Sequence, residues 1–101
     1  MFVAIFKFEV APEKQEPFLE AVRDKIKPFW ESHGCWEYNV YQEYDAVNGY
    51  GTGFVKTQVM EGMPTSLEES RAKRSEEAKT VVDLFYTFAT NVSVKAYVKK
   101  A

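Results

Sequence analysis

The sequence predicts an α+β fold in which four antiparallel strands carry two helices on one face, and three observations support that expectation. Runs at 2–10, 35–44, 50–60 and 92–98 are short and largely alternating, as half-buried strands are. Two longer stretches between them repeat apolar residues at three- and four-residue spacing, the pattern of amphipathic helices. The middle two strands meet at Asn48-Gly49, a strong signal for a tight hairpin.

The chain has 101 residues, the size of a single domain spanning 1–101. A domain this small buries only about two thirds of its unfolded surface, so a second copy would add stability. Aromatic residues make up 16% of the chain, more flat apolar surface than one small core uses. That excess predicts a second buried surface, either a pocket or a subunit interface. The net charge of −2 is the wrong sign for a phosphate-backbone binder, so no nucleic acid is expected. The single cysteine, Cys35, cannot form an internal disulfide, which suits a reducing cytoplasm. No secretory leader is expected, because Phe2 to Phe6 is a short apolar run with no preceding basic region. No membrane span is expected either, because no apolar run approaches the roughly 20 residues that a span needs.

In chain order, the first strand is apolar on both faces over 2–6 and then alternates, with Phe8 and Val10 opposite Lys7 and Glu9. Pro12 and Glu13 open a preliminary turn, and the first regular helix is expected near Pro17. Phe18, Val22, Ile26 and Phe29 form its apolar stripe, Pro28 should bend it, and Gly34 stops it. His33 continues the stripe by one turn and admits two readings. It is a catalytic imidazole pointing into a pocket, or a last-turn residue whose ring packs on the core edge and suits the helix C-terminus.

If Asn48-Gly49 forms a two-residue turn, Tyr38 pairs with Val59, Val40 with Thr57 and Tyr44 with Gly53. On that register Trp36, Tyr38 and Tyr44 lie under the helices, with Gly51 and Gly53 leaving room for Tyr44. Asn39, Tyr41, Lys56 and Gln58 share the opposite face. A slip of one residue would exchange the faces of the third strand relative to the second.

Thr65 or Ser66 should cap the second helix, whose apolar members run from Leu67 to Ala89. Arg71 and Arg74 interrupt its stripe. They either reach beneath the sheet to hold an anionic ligand or mark a part of the helix that overhangs the sheet. A last strand at 92–98 closes the chain.

This βαββαβ order is the split βαβ, ferredoxin-like pattern, with right-handed crossovers and a strand order of four, one, three, two. The expected bare face includes Tyr41, Phe54, Lys56 and Met60, too apolar to leave in water. The chain resembles the dimeric α/β barrel superfamily, which includes antibiotic-biosynthesis-monooxygenase-like proteins. The resemblance rests on the opening Phe2-Val3-Ala4-Ile5-Phe6-Lys7-Phe8-Glu9-Val10-Ala11-Pro12-Glu13-Lys14 and the following Phe18-Leu19-Glu20-Ala21-Val22-Arg23. The Gly34 turn into an aromatic strand and the long second helix before a short last strand also match. It implies a homodimer whose sheets face each other and a ligand cavity between sheet and helices in each subunit.

Haem-degrading relatives need an Asn on the first strand, a Trp on the third and a His on the second helix. This sequence has none of these, so haem is not expected. Cofactor-free, quinone-forming relatives place Asn, Trp, Tyr and Arg or His around a phenolic substrate. Trp36, Tyr38, Asn39, Tyr41, His33 and Arg71 supply those residue types without matching position by position.

The expected site therefore has His33 as base, with Trp36, Tyr38 and Tyr86 as walls and Arg71 or Asn39 holding developing charge on a small aromatic or polyketide-like substrate. No cofactor is expected, and one His with one Cys makes no preformed metal site. A non-catalytic binder using the same pocket and a purely assembly-forming dimer are the competing readings.

Overall fold

The computed structural model describes residues 1–61 and 76–101. Strand β1 (Phe2–Glu9) leads through a 3-10 turn (Pro12–Lys14) into α1 (Gln15–Ala21), a π turn (Val22–Ile26) and α2 (Lys27–Glu31). Strands β2 (Cys35–Asp45) and β3 (Gly49–Met60) form a hairpin, and α3 (Glu76–Phe88) precedes β4 (Thr90–Val98). The antiparallel sheet has the order β2-β3-β1-β4, as the sequence pattern predicts. The expected cap at Thr65 or Ser66 lies outside the described residues, as do Leu67, Arg71 and Arg74.

The first helical segment begins at Gln15, two residues before the expected start at Pro17. Pro17 falls in the first turn, where backbone N–H groups have no intrahelical partner and a missing donor costs little. Before Pro28 the helix widens, so that the Lys27 N–H reaches the Val22 carbonyl five residues back. A wider turn accommodates the ring of Pro28, which would otherwise crowd the preceding turn. The stripe forms as expected: Phe18, Val22, Ile26 and Phe29 are all buried. They pack with Phe8, Val10, Phe54, Val81 and Phe85 to make the core. Gly34 ends the segment at φ +98°.

The hairpin departs from the two-residue turn. Asp45 pairs with Gly49 across a three-residue loop, and the Asp45 carboxylate accepts the N–H groups of Val47 (2.7 Å) and Asn48 (2.9 Å). Gly49 takes the positive φ, +75°, as a three-residue hairpin with a bulge requires. A second irregularity between Gln42 and Tyr44 sets the remaining ladder: Tyr38 pairs with Gln58, Val40 with Lys56 and Gln42 with Phe54. This is one residue away from the expected register, and it moves Phe54, Lys56, Gln58 and Met60 from the open face to the helix face. The open face instead carries Val3, Ile5, Tyr41, Val55, Thr57 and Val59. Glu43, not Tyr44, lies over Gly53, where an added Cβ would meet Glu43 Oε2 at 2.7 Å. Tyr44 packs on Tyr50 instead, with centroids 5.1 Å apart.

A further irregularity between Cys35 and Glu37 inserts Trp36 as an extra residue in β2. The inserted residue reverses the side-chain alternation, so Cys35 and Tyr38 both face the core, and Trp36 is turned outward, 54% exposed.

Candidate active site

Alternation along β3 carries Phe54, Lys56 and Gln58 beneath the helices. Lys56 is 5% exposed, unusual for a lysine, and Tyr38 beside it is fully buried. The Lys56 amine lies 3.9 Å from the ring centroid of Phe6, 4.4 Å from Phe85 and 5.0 Å from Tyr38. It donates a hydrogen bond to Gln58 Oε1 at 3.2 Å. No carboxylate pairs with it among the described residues.

Two effects oppose each other at this amine. The three ring faces attract its cation, by about 0.5–2 kcal/mol per ring. Removing an ammonium from water costs several kcal/mol even after relaxation. Burial pushes the Lys56 pKa down from 10.5 to about 7, against a smaller opposing effect of Cys35. Neutral and protonated forms are therefore both populated near neutral pH.

The neighbouring polar groups are held neutral. Burial raises the Tyr38 pKa, so its phenol stays protonated. Its hydroxyl has no hydrogen-bond partner among the described residues, which costs on the order of 1–3 kcal/mol. Burial likewise pushes the Cys35 thiol up, and its S–H donates to the Glu37 carbonyl at 2.9 Å. A protonated thiol is a poor nucleophile. Gln58 contacts both the Lys56 amine and the Cys35 side chain and so fixes their relative placement. Glu31 accepts the Tyr38 N–H at 3.3 Å, tying α2 to the strand that carries the tyrosine.

Of the expected site residues that lie among the described residues, only Tyr38 joins this cluster. His33 is exposed at the helix end, with its ring stacked on Phe29 at 4.1 Å and Nδ1 2.8 Å from the Phe29 carbonyl. Ser32 is the C-cap of α2, and His33 lies just beyond it, before Gly34 turns the chain away. Trp36 is turned out by the bulge. Tyr86 is 53% exposed, with its ring set edge-to-face against the buried Phe85. Arg71 lies outside the described residues, and Asn39 faces the open side of the sheet. Lys56 and Gln58, expected on the open face, lie on the helix face because the register differs by one residue. The available signal was Asp45, a side chain suited to closing a longer loop, which would have moved β3 by one residue.

Among the described residues no three His, Cys, Asp or Glu side chains converge on a metal-sized space, and no helix is long and apolar enough to cross a membrane.

Comparison with known proteins identifies the class. The antibiotic biosynthesis monooxygenase family matches residues 1–58, more than half of the sequence, and the chain belongs to that family. Solved structures share the fold over nearly the whole chain. A conserved protein from Methanosarcina mazei Go1 has 22% identity and a TM-score of 0.67, covering 98% of this chain and 92% of its own. Rv0793 from Mycobacterium tuberculosis has 19% identity and a TM-score of 0.64, covering 99% and 95%. HapK from Hahella chejuensis has 13% identity and a TM-score of 0.71, covering 99% and 93%. At these identities the structural likeness speaks to fold alone. No protein of curated function matches the sequence.

Proposed function

We propose that the chain is a cofactor-independent monooxygenase acting on a small aromatic or polyketide-like phenol, with Lys56 rather than His33 as the base. The observation that carries this reading is the Lys56 amine, buried without a carboxylate partner among the described residues and poised near neutrality. It lies 5.0 Å from the ring of Tyr38, whose hydroxyl has no partner among those residues. A base works best when its pKa lies near the operating pH. Neutral Lys56 takes the phenolic proton, and the Tyr38 O–H donates to the developing phenolate oxygen. The electron-rich anion reacts with O2 at a ring carbon to give a hydroperoxide. Loss of water then leaves one oxygen on the ring as a quinone carbonyl and releases the other in water, so that phenol plus O2 gives quinone plus water. Phe6 and Phe85 supply flat apolar walls for the ring.

The same reading includes a face-to-face homodimer. Val3, Ile5, Val55 and Val59 are half-buried and Tyr41 is exposed on the open face, a patch suited to a second copy. Sedimentation of a stable monomer at micromolar concentration would remove that part.

The test is oxygen uptake and quinone absorbance over a panel of phenols between pH 6 and 9. Turnover should rise through an apparent pKa near 7 and be lost in Lys56→Met. Equal turnover in wild type and Lys56→Met would exclude Lys56 as the base. Binding of phenols without oxygen uptake would leave a small-molecule binding protein.

A further inference from the structure

The buried amine is also arranged for a reaction that involves no oxygen. We propose that Lys56 captures small aromatic aldehydes or ketones as an imine, with the Tyr38 hydroxyl serving as the proton donor. An imine-forming lysine needs a free lone pair, a dry surround and an acid for the carbonyl oxygen.

Each requirement has a counterpart in the fold. Among the described residues the hydrogen-bond partner of Lys56 Nζ is the Gln58 amide oxygen, 3.2 Å away. That oxygen accepts an N–H and leaves the nitrogen lone pair unengaged, whereas a carboxylate would hold the amine as ammonium. The rings of Phe6, Phe85 and Tyr38 surround the nitrogen at 3.9, 4.4 and 5.0 Å, an apolar setting that favours the loss of water. The fully buried Tyr38 has a hydroxyl without a partner among the described residues, a donor that they leave unsatisfied. Burial also leaves about half of the Lys56 amine neutral at pH 7, whereas an ordinary lysine is roughly one part in a thousand neutral there.

The step balances without a redox partner. The nitrogen lone pair forms the C–N bond, the carbonyl π electrons move to oxygen, and that oxygen takes the Tyr38 proton. The nitrogen then loses a proton back to the tyrosinate. Protonation of the carbinolamine hydroxyl by the same phenol expels water as C=N forms, and the remaining N–H proton restores the tyrosine. Amine plus carbonyl gives imine plus water. The inference shares the amine with the oxygenase reading but not its oxygen step, so either can fail alone.

The experiment treats the full chain with benzaldehyde and cyanoborohydride at pH 7.5, then maps benzylated lysines by peptide mass. Lys56 should be labelled at least about tenfold faster than any other lysine, given its larger neutral fraction. Lys56→Met and Lys56→Gln should lose that fast-labelled site while remaining folded by circular dichroism. Tyr38→Phe should slow it about tenfold and leave surface labelling unchanged. Labelling of Lys56 no faster than surface lysines, or only in urea, would overturn the proposal. An unchanged rate in Tyr38→Phe would remove the tyrosine from the step. Oxygen uptake with phenols, measured on the same preparation, reports separately on the oxygenase reading.

Discussion

Lys56 and Phe6 are register partners across the β1–β3 ladder, and the amine of one lies 3.9 Å from the ring centroid of the other. The pairing seats a cation-forming group in a position that a leucine or methionine would fill without penalty. Apolar replacement of buried charged groups is often neutral or stabilising. A residue kept against stability is the kind of feature that function explains.

Lys56→Met should therefore raise thermal stability at neutral pH and abolish turnover. The sign follows from proton binding. Between pH 7 and 10.5 the unfolded chain holds a proton on Lys56 that the folded chain largely lacks, so wild-type stability rises with pH across that window. Below pH 7 both states are protonated and the full penalty remains. The penalty is at most about 4 kcal/mol at pH 7 by linkage. Wild-type stability should climb from pH 7 towards pH 10, and Lys56→Met should flatten the climb. Urea midpoints at pH 6, 7, 8 and 9 measure it, and parallel curves for the two proteins would mean that Lys56 is not buried as described.

Tyr38→Phe removes a buried hydroxyl with no partner among the described residues. It should leave stability unchanged or raise it by up to about 2 kcal/mol, because an unsatisfied group is deleted without creating a void. Turnover of phenols should fall by about 10- to 1,000-fold, the range for losing one donor to a developing oxyanion. A loss of stability greater than 1 kcal/mol would show that the hydroxyl is paired in solution.

The strand order, the Phe18–Phe29 stripe and the Gly34 stop were legible because each is a local periodicity or a stereochemical necessity. The site was less so. Its composition depends on register, and register turned on whether Asn48-Gly49 or the Asp45 carboxylate closed the hairpin. One residue of difference exchanged the faces of β3 and moved Lys56 and Gln58 from the open face to the core. The bulge at Trp36 acted in the same way, since alternation pairs Trp36 with Tyr38 until an extra residue intervenes. Aromatic residue type pointed to a pocket wall, but backbone irregularities decided which aromatics lie beside Lys56.

The hairpin can be tested through its two determinants. Gly49→Ala places a Cβ at φ +75° and should destabilise by about 1–2 kcal/mol. Asp45→Ala removes the acceptor of two backbone N–H groups and should cost about 1 kcal/mol. Amide exchange at Val47 and Asn48 should accelerate in Asp45→Ala while the amides of β1 remain protected. Unaltered exchange at those two positions would argue for the two-residue turn and the alternative register.

His33 supplies the sharpest contrast between a residue that looks chemical and one that is placed to be. As the sole histidine it was the candidate base among two readings, and its ring lies on Phe29 with Nδ1 on the Phe29 carbonyl, the helix-end reading, outside the cluster around Lys56. A side chain at the end of α2 contributes through stacking on Phe29 and one contact with a carbonyl that Ser32 already serves through its hydroxyl and its backbone N–H, together about 0.5–1 kcal/mol. His33→Ala should lower the urea midpoint by that amount and leave kcat and KM for phenols within twofold of wild type. Its pH–rate profile should keep the rise near 7, because that rise belongs to Lys56. A profile that loses this limb in His33→Ala while the protein stays folded would return the base to the helix end and leave Lys56 a structural oddity of the core.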